Sequence, residues 1–188
     1  MSTQRDTYLA PEEYLAIERK AEYKSEYMDG IVYDMSGASL RHNTIVANVI
    51  GALGQQLRER PGLVLASHIK VLMPDSRKFF YPDVSVLCGE PQFHDDREDI
   101  ILNPTLIVEV LSESTAAFDR GEKFRAYQQL VSLQEYILIS QDESAIEQYV
   151  RQTQESWTYT TALGMDSTLN LPSIECTLSL QAVYDKTG

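Results

Sequence analysis

The apolar pattern of the chain has one conspicuous interruption. Leu106-Ile107-Val108-Glu109-Val110-Leu111 runs hydrophobic on both sides of a single carboxylate. A run of this length predicts a strand covered on both faces. A charge in such a strand costs several kcal/mol unless it is paired or bound to a metal, so Glu109 requires a partner. Tyr81-Pro82-Asp83-Val84-Ser85-Val86-Leu87 repeats the theme, with an acid at the head of a second apolar strand. Lys123 follows, early in a helix whose Asp119-Arg120-Gly121-Glu122 start has the spacing of a capping box. Two acids on neighbouring strands with a lysine nearby point to a metal site for phosphodiester cleavage.

The remaining elements follow from the same patterning. Pro11-Glu12-Glu13 opens a helix that turns Tyr14, Leu15, Ile17 and Ala21 inward. Asp29-Gly30 between the alternating arms 25–28 and 31–35 is a strong hairpin signal, and Glu26 lies on the first arm. Ile45, Val49, Ala52, Leu53 and Leu57 keep helical spacing over a helix from about Leu40 to Arg58, with His42 in its first turn and Pro61-Gly62 beyond its end. Val64 to Met73 reads as one strand, followed by a polar turn at 75–78 and a strand from Phe80 to Leu87 pairing back as a hairpin. Gly89 to Asn103 reads as an acidic, irregular loop. After the helix that carries Phe124, Tyr127 and Leu130 inward, 134–139 is a strand, completing a strand–helix–strand crossover. Strands at 146–151 and 156–161, an extended piece at 169–172 and a closing helix or turn at 178–184 complete the chain. The expectation is one mixed α/β domain over residues 1–188, a sheet flanked by helices.

Composition narrows the class. With 188 residues, 43% hydrophobic and 23% charged, the chain has the make-up of an ordinary globular domain. Its longest apolar runs fall short of a membrane span. The opening MSTQRDTYLAPEEY lacks the basic-then-apolar order of a signal peptide, so a cytoplasmic location is expected. The net charge of −12 argues against a protein that coats nucleic acid. It leaves room for a nuclease with a local basic patch, for which Lys70, Lys78, Arg120 and Arg125 are the candidates. Cys88 and Cys176 belong to no metal-binding pattern and read as free buried thiols; His42, His68 and His94 lack zinc-site spacing.

Taken singly, each candidate has an ordinary explanation. Asp83 is a solvent-facing acid at a strand end, and Glu109 a buried pair with an arginine or lysine. Asp119 and Lys123 are helix neighbours four apart, Glu26 a hairpin acid and His42 a helix-start residue.

Taken together, the ordered set resembles one family. Ser25-Glu26-Tyr27-Met28-Asp29-Gly30, His42-Asn43, Tyr81-Pro82-Asp83-Val84, Ile107-Val108-Glu109-Val110-Leu111-Ser112, Asp119-Arg120-Gly121-Glu122-Lys123-Phe124 and Leu133-Gln134-Glu135-Tyr136 are similar to the Uma-two-type restriction endonucleases of the PD-(D/E)XK nuclease superfamily. The likeness runs from about Tyr8 to Tyr184. It implies a restriction-endonuclease-like core, a mixed sheet between helices, and a Mg²⁺- or Mn²⁺-dependent endonuclease acting on DNA. Asp83 matches the superfamily's first acid and Glu109 the second, and these two would be the metal ligands. The lysine normally two residues beyond the second acid is replaced by Leu111, and Lys123 matches the lysine that has migrated to the following helix. Glu26 matches a further acid near the site, and His42 would support the ligands or contact phosphate. A homodimer is implied by analogy with double-strand cutting. Two other classes fit the same fold: a non-catalytic binding or scaffolding module, and a hydrolase of another phosphate ester.

Overall fold

A computed structural model describes residues 8–75 and 77–188. Residues 1–7, half of the stretch read for a leader, lie outside it, as does Ser76 of the expected polar turn. The architecture is mixed α/β. Helix α1 spans Pro11–Glu18 and is followed by strands β1 (Ser25–Met28) and β2 (Ile31–Asp34). Asp29 and Gly30 both have positive φ, 50° and 98°, the backbone a two-residue hairpin turn demands. Gly30 is needed for space as well, because a Cβ there would lie 2.1 Å from the Tyr8 ring.

Helix α2 (Leu40–Gln56) is capped by Ser39, whose side chain accepts the His42 N–H. It buries Ile45, Val49 and Leu53. Next come β3 (Leu63–Ala66), β4 (Lys70–Leu72), β5 (Lys78–Phe80), β6 (Val84–Leu87), β7 (Ile100–Ile101) and β8 (Leu106–Val110). The crossover helix is continuous but not uniform. It has an α turn, α3 (Ala116–Phe118), a wide π turn at Asp119–Lys123, and an α turn, α4 (Phe124–Tyr127). Strands β9 (Glu135–Ile139), β10 (Ala145–Arg151), β11 (Trp157–Leu163), β12 (Thr168–Leu171) and β13 (Cys176–Ser179) follow, and α5 (Leu180–Val183) closes the chain.

The strands form two main sheets. One has six strands in the order β11-β10-β9-β8-β6-β3, the other five in the order β2-β1-β5-β4-β7, and β12-β13 is a separate hairpin. The crossover makes β8 and β9 parallel, with Glu109 beside Leu138. Where sequence patterning reads one long strand from Val64 to Met73 and another from Phe80 to Leu87, the chain makes two of each. β3 pairs with β6 in the first sheet, and β4 pairs with β5 in the second. The break in the second arm falls on Tyr81-Pro82-Asp83, where proline has no N–H to continue a ladder. Asp83 therefore sits at the corner where the two sheets part.

Three cores follow from strand alternation. Leu106, Val108 and Val110 face one way, toward α2, β12, β13 and α5. Ile107 and Leu111 face the other way, toward Phe124, Tyr127 and Leu130 of the crossover helix and Phe80 of β5. Glu109 shares this second face by the same two-residue period. A third core packs Tyr14 and Leu15 of α1 against Tyr27, Val32, Leu72 and Phe79.

Several expectations are corrected. The crossover helix begins at Ala116, with the Asp119 N–H already bonded to Thr115 O at 2.9 Å, so Asp119 is no cap and Lys123 is not in the first turn. The loop 89–103 contains β7, which pairs parallel with β4 because Ile100 and Ile101 are apolar enough to be buried. The closing segment has a strand, β13, before its helical turn. Ile17 and Ala21 are exposed; Glu18 takes the inward position instead. Cys176 is buried, but Cys88 is exposed. Among the described residues no helix is long and apolar enough to cross a membrane.

The expected basic patch is not assembled either. Lys70 is buried, 2.9 Å from Glu18 Oε2 and 3.3 Å from Asp99 Oδ2, and it donates to the Tyr81 hydroxyl at 3.0 Å. Lys78 pairs with Asp29 and Asp75, and Arg120 with Glu147. In a chain of net charge −12, three of these four basic side chains are engaged by internal acids; Arg120 and Arg125 are exposed, Arg120 with Glu147 as its partner.

Burial separates these pairs energetically. Lys70→Met leaves Glu18 and Asp99 without their shared cation, and we expect a loss of about 3–5 kcal/mol in urea unfolding. Lys78→Met, whose partners are far more exposed, should cost less than about 1 kcal/mol. Equal losses would refute the assignment of Lys70 as the cation that fastens α1 to the second sheet.

Candidate metal-and-lysine site

The site is built from four elements. β8 supplies Glu109, the corner before β6 supplies Asp83, β1 supplies Glu26, and the π turn supplies Lys123. Each is placed by an identifiable constraint. Val84 pairs with Val108, so extension of the register sets Asp83 opposite Glu109 and Pro82 opposite Val110. Pro82 stops the regular ladder, and the Asp83 carboxylate takes over: Oδ2 accepts the Val110 N–H at 2.7 Å. Its other oxygen, Oδ1, lies 2.9 Å from Nε2 of His42, carried by the first turn of α2. Asp83 thus ties the second acid's strand to the helix on the opposite side.

Glu26 reaches in from the second sheet. Its Oε1 accepts the Tyr81 N–H at 2.9 Å, a donor freed where β5 leaves its ladder. The same oxygen is 3.0 Å from Lys123 Nζ. Lys123 Nζ is also 2.9 Å from Glu109 Oε1 and 3.8 Å from Asp119 Oδ1. Glu109 Oε1 receives a second contact, the Tyr127 hydroxyl donating at 3.0 Å. One ammonium therefore bridges acids from both sheets.

The π turn is what delivers it. A wide turn inserted into an α-helix is uncommon and often marks a functional segment. Gly121, at its centre, has the weakest preference for regular helix among the non-proline residues, which lowers the cost of the irregularity. Tyr136 of β9 donates its hydroxyl to the Asp119 carbonyl at 3.0 Å, fixing the turn against the sheet. Phe124 stacks on Tyr136, and Tyr127 packs edge-on against Phe80. The turn buries both Asp119 and Lys123.

Electrostatics set this cluster apart from the rest of the molecule. Glu26, Glu109 and Asp119 surround a single lysine ammonium, with Asp83 close by on the Val110 amide. Burial pushes the Glu109 carboxyl well above the usual range; Lys123 opposes that shift, and Asp119, Asp83 and Glu26 add to it. Burial likewise raises Asp119. Desolvation works against the charged form of Lys123, but Glu109, Glu26 and Asp119 outweigh it and hold its pKa well above the ordinary value. Burial, reinforced by Glu109, raises Tyr127, which keeps its proton and acts as a donor. The lysine is a fixed cation, and it faces more carboxyl groups than it can neutralise, which is why burial favours the protonated form of Glu109 and Asp119.

The residues singled out in the sequence fall in one cluster: Glu26, Glu109 and Lys123 in contact, and Asp83 with His42 beside them. Lys123 has no direct contact with Asp83; the two are linked through Glu109 and the neighbouring Val110 amide. Leu111, in the place a lysine commonly holds, shares the face of Glu109 and packs in the core with Phe124 and Tyr127. The ammonium arrives instead from the helix above. Sequence reasoning missed Tyr127, which reads only as an apolar helix position, and Asp119, which reads as a cap. The available signal was the spacing of Asp119, Lys123 and Tyr127 at four-residue intervals on one helix face. Among the described residues no group of three or more His, Cys, Asp or Glu side chains stands ready to hold a metal ion.

Comparison with known proteins bears on the whole chain. Two proteins of Synechocystis sp., both called uncharacterized, are similar to it. One, sll1609, is 36% identical over 156 residues, 83% of this chain and 88% of that protein. The other, slr1290, is 35% identical over 178 residues, 94% and 91% of the two. The fold matches a crystal structure from Anabaena variabilis described as a "putative nuclease belonging to DUF820". Its TM-score is 0.77 over 96% of this chain and 99% of that one, at 18% identity. Residues 11–182 match the model of the Uma2 family, described as "Putative restriction endonuclease". With that match covering nearly all of the sequence, the chain belongs to the Uma2 family.

Proposed function

We propose that this protein is a divalent-metal-dependent nuclease hydrolysing DNA phosphodiester bonds, with Asp83 and Glu109 holding Mg²⁺ or Mn²⁺. The observation that supports this best is the convergence of three carboxylates, Glu26, Glu109 and Asp119, on one ammonium where the two sheets part, with Asp83 held beside them on the Val110 amide. The donor set fits the metal. It offers hard oxygen ligands with no thiolate, and Mg²⁺ is commonly held by one or two carboxylates while keeping several waters. The surplus of carboxyl groups over cations in the cluster favours a further cation. When bound, the metal supplies Lewis-acid polarisation of the phosphate and lowers the pKa of a coordinated water.

The chain's own groups do the positioning. Tyr127 orients Glu109 through its hydroxyl, and the Val110 amide and His42 orient Asp83. Lys123 remains protonated and offers donors at the edge of the acid pair, where negative charge develops on a phosphate under attack. Glu26 holds the other side of that ammonium and keeps it within reach. The paired state of Lys70, Lys78 and Arg120 supports weak affinity for DNA that declines further with salt.

A non-catalytic scaffold is the second reading, and one observation favours it. Lys123 is already paired with Glu109 and Glu26, as in a purely structural buried ion cluster. Cleavage and calorimetry separate the two. Supercoiled plasmid and single-stranded DNA should be cut at low salt with Mg²⁺ or Mn²⁺, and Asp83→Ala and Glu109→Ala should abolish both cutting and the metal-binding heat. Lys123→Ala should keep the heat and slow cutting by about 10²–10³-fold. No cutting with any metal, together with no heat that Asp83→Ala removes, would establish the scaffold.

The raised carboxyls give a second test without substrate. In the metal-free protein the native state keeps protons on Glu109 and Asp119 that the unfolded chain releases above the ordinary carboxylate range. Native protons then exceed unfolded ones, so their contribution to stability falls as pH rises. We expect Asp119→Asn to remove part of that decline in urea unfolding between about pH 5 and 8, and saturating Mn²⁺ to flatten it in the wild type by replacing protons with a cation. A wild-type slope matched by Asp119→Asn and untouched by Mn²⁺ would contradict the charge assignment.

A further inference from the structure

Five hydrogen bonds form a closed circuit around the mouth of the site. Val110 N–H donates to Asp83 Oδ2 at 2.7 Å. Asp83 Oδ1 meets His42 Nε2 at 2.9 Å. The His42 amide donates to Ser39 Oγ at 3.0 Å. Ser39 Oγ donates to Gln141 Oε1 at 2.7 Å. Gln141 Nε2 donates to the Leu111 carbonyl at 2.7 Å. Leu111 follows Val110 in the chain, so the ring closes on β8. It joins the end of β8, the corner before β6, the start of α2 and the residues after β9.

Ser39 has its place as the cap of α2; Gln141 belongs neither to that cap nor to the acid, lysine and histidine constellation. We infer that Gln141 is a positioning residue, holding the start of α2 against β8 so that His42 stays on Asp83. Chemistry requires an amide at this position. The Leu111 carbonyl needs a donor and the Ser39 hydroxyl an acceptor, and a glutamine side chain supplies both from one planar group. A carboxylate could accept from Ser39 but would repel the carbonyl. Asn43 secures the same turn from within, its Nδ2 donating to Ser39 O at 2.9 Å and to Ala38 O at 3.3 Å. These bonds keep the turn rigid but do not reach β8. Gln141 fastens Ser39 directly to Leu111, the residue that follows the strand bearing Glu109. Partners behind a metal ligand commonly change metal affinity without touching the ion.

The inference rests on the reading of Asp83 as a metal ligand only for its functional consequence; the positioning itself can be measured without metal. In ¹⁵N-labelled protein, long-range imidazole spectra resolve the three histidines. His42→Gln identifies the His42 signal, and Asp83→Asn marks where that signal lies without the acid contact. Gln141→Ala should move the His42 signal at least halfway toward the Asp83→Asn position. Gln141→Glu, which keeps length and loses the donor, should move it in the same direction. Circular dichroism verifies the fold of each. A His42 signal unmoved in a folded Gln141→Ala overturns the inference, and so does unfolding of both variants, which would make Gln141 a fold determinant. Mn²⁺ affinity by calorimetry should fall about tenfold in Gln141→Ala, the lower end for outer partners of a metal ligand. If the wild type takes no Mn²⁺, the nuclease reading fails while the imidazole spectra still decide the role of Gln141.

Discussion

A buried ammonium answers to geometry more strictly than any apolar contact. Lys123 is 5% exposed at its side chain, and removing such a cation from water costs several kcal/mol before any partner repays it. The repayment comes from Glu109 on one sheet and Glu26 on the other, both within 3.0 Å. The two sheets and the crossover helix must therefore meet at one point. The π turn, the Tyr136 bond to its carbonyl and the ring packing of Phe80, Phe124, Tyr127 and Tyr136 all act to hold that point in place. Hydrophobic burial gives the layers their cohesion; the charge cluster selects which way they face each other.

Much of the fold was legible where a single period governs. The Asp29-Gly30 hairpin, helix α2 and the β8–helix–β9 crossover all follow from local patterning. The errors fall where local pattern and tertiary pairing disagree. Residues 64–73 look like one strand because both halves are apolar, yet the turn at 67–69 passes them to different sheets. Ile100 and Ile101 are too few to register as a strand and become one only through β4. The capping-box spacing at Asp119 and Glu122 is genuine in sequence and irrelevant in space, because the preceding Ala116-Ala117-Phe118 is itself helical.

The candidate site was legible for a different reason. Glu109 is improbable in an apolar strand, and improbability in a buried position is a signal that survives ignorance of the fold. Asp83, Lys123, Glu26 and His42 each have an ordinary explanation alone and stand out only through the ordered set of motifs. Tyr127 and Gln141 gave no such signal. Tyrosine on an apolar helix face and glutamine after a strand are both commonplace, and their roles depend on which oxygen lies 3 Å away. Residues that bind through position rather than through unusual chemistry stay hidden until partners are known.

Leu111 and Lys123 serve the same face of the sheet in different ways. Residues 109 and 111 point to the same face of β8, so a lysine at 111 would sit beside Glu109 on the strand. Here that place is spent on core packing against Phe124 and Tyr127. The helix covering that face carries Lys123 one turn before Tyr127, and the ammonium reaches the same oxygen of Glu109 that the tyrosine hydroxyl does. The result is a cation at an acid on one face of one strand. The chain segment that supplies it is free to change, provided the covering helix can be widened enough to turn the side chain inward. The π turn supplies that widening, so the departure from the usual spacing and the irregular helix are two aspects of one solution.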